Sequence, residues 1–110
     1  MIDKETFLKP RLPEADVDVP DVGTVRVRGL SRQEALSLQS LGDDVSAMER
    51  AVLALGVVVP VLSSDDWDAY YAAAPAGEVA PIVAAIHRLS GLQEGSAKAA
   101  YKSDGVVSGA

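Results

Sequence analysis

The 110-residue chain contains no cysteine, which excludes a disulfide framework, a thiolate metal site and a cysteine nucleophile together. Absence of cysteine also fits a reducing compartment such as a cytoplasm. Histidine is almost as scarce. With His87 alone, no His/Cys ligand set for zinc exists, and a histidine beside an apolar stripe near a helix C-terminus is read as a structural or surface group. Long apolar runs are missing too. The longest stretch without a charge lies between Arg50 and Asp65 and is broken by Gly56 and Pro60. It is too short to span a bilayer, and the opening MIDKETFLKP has the acids and lacks the apolar run of a secretory signal. Basic residues are outnumbered, 10 against 16, for a net charge of −6. Such a balance is wrong for a protein that neutralises phosphates.

Catalytic patterns are lacking as well. The chain has no G-x-S-x-G elbow, no phosphate loop and no dinucleotide fingerprint. The carboxylate pairs Asp43-Asp44 and Asp65-Asp66 fall at expected helix starts, where acids suit the caps and the dipole. Asp16, Asp18 and Asp21 lack the spacing of a calcium loop and its later bidentate glutamate. No catalytic residue, metal site or cofactor site is therefore expected, and the chain reads as a non-enzyme.

What is present is a set of short, well-punctuated elements. Residues 1–15 read as an arm with a turn of helix at Lys4–Leu8. In DVDVPDVGTVRVR (Asp16–Arg28), apolar and charged residues alternate on both sides of a turn, the signature of a half-buried hairpin. A three-residue loop Asp21-Val22-Gly23 would pair Val19 with Val25, Asp18 with Arg26, Val17 with Val27 and Asp16 with Arg28. That register sets four valines on one face and Asp–Arg pairs on the other. A lone ribbon is marginal in water, so its valine face needs a cover. Its two open edges, with Val17, Val19, Val25, Val27, Asp18 and Arg26, offer a route to self-association.

Helices follow. Ser31-x-x-Glu34 matches a capping box, opening a helix that breaks near Gly42. Val45, Met48, Val52 and Leu55 recur at helical spacing. Over Gly56–Leu62 a helix that frays before Pro60 and a buried extended link after it are expected. Ser63 with Asp66 caps a short helix that sets Trp67, Tyr70 and Tyr71 on one face. Those aromatics are either core plugs or anchors for a partner. Val79, Ile82, Val83, Ile86 and Leu89 mark the last clear helix, with Gly91 in the left-handed C′ position and Leu92 folding back. The fold expected is α+β and mostly α: a hairpin at about 16–28 on about four short helices, one domain over 16–100, and a disordered, flexible tail over 101–110.

Two segments carry a resemblance. VDVPDVGTVRVRGLSRQEALSLQ (Val17–Gln39) is a hairpin running into a capped helix. PAGEVAPIVAAIHRLSGLQEGSAKAA (Pro75–Ala100) is an Ala-rich helix ending in R-L-S-G-L. In this order, with Val57–Leu62 and Ser63–Trp67 between them, they resemble the tail assembly chaperones of long-tailed bacteriophages and prophages. The resemblance implies a non-enzymatic assembly factor in the host cytoplasm that binds the tape measure protein, helps recruit the tail tube subunit, self-associates and is absent from the mature virion. It implies neither nucleic-acid nor membrane binding. The competing readings are a small head–tail connector or other virion component and, further behind, a helix-turn-helix regulator over residues 31–56.

Overall fold

The structure, a computed structural model, describes residues 1–92. Expectations for the tail, and for the last eight residues of the 16–100 domain, lie outside the described residues. The elements are α1 (Lys4–Leu8), β1 (Glu14–Val19), β2 (Gly23–Arg28), α2 (Arg32–Leu38), a 3-10 turn (Gln39–Leu41), α3 (Val45–Gly56), β3 (Val57–Val59), α4 (Ser64–Ala73) and α5 (Val79–Leu89). The fold is α+β, as expected, with a hairpin leaning on helices.

The sheet departs from the expected hairpin in two ways. Its register is displaced by two residues: Val17 pairs with Val25, Asp16 with Arg26, Ala15 with Val27 and Glu14 with Arg28, while Val19 faces Gly23. The loop is Pro20-Asp21-Val22, not Asp21-Val22-Gly23. Proline explains the shift. Pro20 has no amide to give to a ladder and its φ suits the second position of a turn. The turn closes with Val22 N–H donating to Val19 O at 3.1 Å, and Asp21 takes the left-handed place after the proline at φ 66°. A shift of two residues preserves side-chain parity. The valines therefore still face the helices and the charges still face outward, though each charge has a new partner. The strand also starts two residues earlier, at Glu14, inside the segment assigned to the arm.

The second departure is a third strand. Val57–Val59 pairs antiparallel with β2, making β2 the central strand of a β1-β2-β3 sheet. Helix α3 does not fray toward Pro60 but stops at Gly56. Three consecutive β-branched valines then favour a pleated edge over another helical turn. Pro60 lies just beyond the strand, where its missing amide costs no ladder bond. Among the described residues, β1 presents the one long open edge of the sheet.

Capping matches the sequence closely. Ser31 Oγ accepts from Glu34 N and the Glu34 carboxylate accepts from Ser31 N, a reciprocal box repeated by Ser63 and Asp66 on α4. Asp44 caps α3 through Ala47 N. At the end of α5, Gly91 adopts φ 79°. Leu92 N–H donates to His87 O at 2.8 Å and Gly91 N–H to Arg88 O at 3.1 Å, the paired bonds of a Schellman stop.

The core forms where α5 crosses the inner face of β1 and β2 and meets α3. Leu53, Ile86, Val27 and Val52 are its most deeply buried large side chains. Two glycines permit this approach. A Cβ at Gly56 would lie 2.5 Å from Ile86 Cδ1, and one at Gly29 would lie 2.6 Å from the Leu89 carbonyl oxygen.

Candidate functional site

The predicted aromatic face is divided between core and surface. Trp67 is 6% exposed and belongs to the core, edge-on to Tyr70 with ring centres 5.6 Å apart. Tyr70 is half-buried and its hydroxyl donates to Glu78 at 2.8 Å; Tyr71 is exposed and donates to Glu49 at 2.7 Å. Burial, reinforced by the neighbouring carboxylate, raises both phenols, Tyr71 to about 12. Arg50 lies 5.6 Å from the centre of the Tyr71 ring and pairs with Asp68 at 3.0 Å. The aromatic segment thus fastens α4 to α3, and of its three rings Tyr71 is the one exposed to solvent.

The hairpin residues are similarly committed. Val19 and Val27 are buried in the protein's own core, with Val17 and Val25 packed beside them. Arg26 bridges Glu14 at 2.7 Å and Asp16 at 2.8 Å. Asp18, expected opposite Arg26, instead accepts from the Thr24 hydroxyl at 3.1 Å. Arg28 leaves the sheet altogether and grips Glu34 with both terminal nitrogens, at 2.9 and 2.8 Å.

Glu34 consequently joins the hairpin to the helical half. The Arg28 guanidinium first, and then the Ser31 amide, hold its carboxyl at about 2, below the ordinary 4.5. A carboxyl depressed on folding contributes stability above its unfolded pKa and loses it as pH falls through the folded value. The contribution is therefore full above pH 4.5 and vanishes toward pH 2. Glu34→Gln keeps an acceptor for the capping box but loses the charge. A drop of about 1–3 kcal/mol at pH 7 is expected, with a flatter acid limb in urea melts between pH 4.5 and 2. Glu34→Ala also loses the cap and should cost about 1 kcal/mol more.

The feature the sequence does not announce is a groove of about 430 Å³ bounded by α2, the start of α3 and the end of α5. Leu30, Ala35, Leu38, Met48 and Leu92 line it, together with Gln39 and Gly42. Its size is that of a side-chain or small-ligand pocket. His87 is the single titratable residue in its lining, and desolvation lowers its pKa below 6.5. Because His87 is the only histidine, its ring protons give one resolvable NMR titration, and a midpoint below 6.5 is expected. A second, more open hollow of about 580 Å³ lies beside Leu41, Ala51, Leu62 and Trp67, with the Arg50–Asp68 ion pair in its lining.

Among the described residues, no group of three or more His, Asp or Glu side chains is placed to hold a metal ion, and no helix is long and apolar enough to cross a membrane. Asp43 and Asp44 sit at the start of α3, and Asp65 and Asp66 lie in the first turn of α4, as helix-start acids. No protein family, curated protein or solved structure matches the chain.

Proposed function

We propose that the protein is a non-enzymatic tail assembly chaperone of a long-tailed phage or prophage, which holds an apolar helical segment of the tape measure protein and helps bring tail tube subunits to it. The observation that carries this reading is the open groove, apolar along its length and set in an acidic body. A hollow of this size takes one or two apolar anchors from the face of an amphipathic helix. Net charge of one sign keeps a chaperone with exposed apolar surface dispersed. The sequence resemblance over Val17–Gln39 and Pro75–Ala100 supports the same reading. On this reading the protein acts in the host cytoplasm and is absent from the finished virion.

The regulator reading draws less support. In a helix-turn-helix the recognition helix presents its N-terminal residues to DNA, and here that position, at the start of α3, carries Asp43 and Asp44. Co-expression with a candidate tape measure protein, a long helical protein from the same genome, tests the chaperone reading. The client should become soluble and co-purify, and Met48→Glu in the groove should abolish the complex without unfolding the half-buried site. A client that remains insoluble and unbound, or abundant copies of this chain in purified virions, would overturn it.

A further inference from the structure

The N-terminal arm exposes Ile2, Phe7, Leu8 and Leu12, with Phe7 at 61% and Leu8 at 66%, and no residue of α1 is buried. A helix of one turn is marginal by itself in water, yet this one is braced at both ends. Asp3 accepts from Thr6 N at 2.8 Å, and the Arg11 guanidinium donates to the carbonyls of Phe7 and Lys9 at 2.9 and 2.8 Å. Arg11 also lies 5.9 Å from the centre of the Phe7 ring. The arm is a preorganised apolar element that no described residue covers, and preorganisation of this kind lowers the entropic cost of docking.

We infer that the arm of one copy docks in the groove between α2, α3 and α5 of a second copy, in a reciprocal dimer. Charge favours the match. The arm to Leu12 carries three basic residues (Lys4, Lys9, Arg11) against two acidic (Asp3, Glu5), a net +1; Pro13 to Leu92 carries five basic against twelve acidic, a net −7. Two of those acids, Asp43 and Asp44, follow directly on the groove residue Gly42. Placement favours it too. Pro13 O accepts from Gly29 N at 2.8 Å, one residue before the groove residue Leu30, so the arm leaves the body beside the groove. Pro10 and Pro13 keep Lys9 and Leu12 out of helical conformation, with Lys9 extended at ψ 133°, and this opposes a reversal into the chain's own groove. Reciprocal exchange fills both grooves and closes the assembly.

Pairing through the sheet is the weaker route to a dimer. Antiparallel pairing of β1 with its copy sets Glu14, Asp16 and Asp18 against the same acids, and like charges directly opposite are destabilising. β3 already covers the far side of β2. The exchange itself requires no client; that the arm guards the groove until a client helix displaces it rests on the chaperone reading.

The cysteine-free chain makes the test clean. Full-length F7C and Q39C chains, mixed and mildly oxidised, should give a disulfide between positions 7 and 39 of different copies, in clear excess over a mixture of F7C with T24C at the far end of the hairpin. The F7D/L8D double variant should weaken self-association in sedimentation by about tenfold or more. Its folded monomer should melt as the parent's does, because those side chains are exposed. A chain carrying both F7C and Q39C that crosslinks within itself at monomer mass would overturn the exchange, as would a mixture with no selective crosslink. Since no client is present, failure here leaves the chaperone reading to its own co-expression test.

Discussion

Trp67→Ala is expected to cost about 3–5 kcal/mol, the loss typical of emptying a large aromatic site in a core. The indole is 6% exposed and packs edge-on against Tyr70. It is the only α4 side chain in the buried class, so its removal detaches the helix as well as opening a cavity. Against a total stability of roughly 5–15 kcal/mol, the variant should melt at least about 15 °C below the parent. Tyr71→Phe is the informative contrast. It removes only an exposed hydroxyl bonded to Glu49, and a loss under about 1 kcal/mol is expected. Circular dichroism melts of the two variants separate core from anchor. A W67A melt within a few degrees of the parent would mean that the indole serves a partner.

Gly29→Ala is the second large effect, and its cause is space. The added Cβ would lie 2.6 Å from Leu89 O, 2.8 Å from Leu89 C and 3.0 Å from Ser90 N. These are backbone atoms, so no rotamer change relieves the contact and the end of α5 must move. That end is also the clasp of the fold: Ser90 Oγ accepts from Leu30 N at 2.7 Å and donates to Ile86 O at 2.6 Å. A cost of about 3 kcal/mol, the upper part of the overpacking range, is expected, with loss of the groove wall at Leu30. Gly77→Ala supplies the control, since open space surrounds that position and the change should stay within about 1 kcal/mol of neutral. Equal melts for the two glycine variants would contradict the close approach of β2 and α5.

Local chemistry was legible in the sequence because it is carried by neighbours in the chain. The capping boxes at Ser31 and Ser63, the stop at Gly91 and the turn of helix at Lys4–Leu8 each need residues no more than five apart. The alternation of valine and charge predicted which hairpin face is buried, since parity survives a slip of two. The pairing partners did not follow, because Pro20 decides the loop and its role as a turn former outweighs Gly23. Leu53 shows the other limit. The stripe through Val45, Met48, Val52 and Leu55 omits it, yet Leu53 is fully buried and Val45 is largely exposed. The buried arc of α3 runs through Val52, Leu53 and Gly56, rotated from the expected stripe toward the side that meets α5.

The sequence by itself determined the class of fold, the order of the hairpin and helices, the helix boundaries set by caps and the absence of cysteine chemistry. These depend on composition and on contacts within a turn or two. Only the tertiary structure decided that Val57–Val59 completes the sheet, that Arg28 serves Glu34 and not Asp16, and that Trp67 is core. It also brought together Leu30, Leu38, Met48, His87 and Leu92, which lie up to sixty-two positions apart, as the walls of one groove. Burial and proximity across such separations come from how α5 crosses the sheet. That crossing is set by the shapes of Gly29, Gly56 and Ile86 meeting in space, which no local pattern encodes.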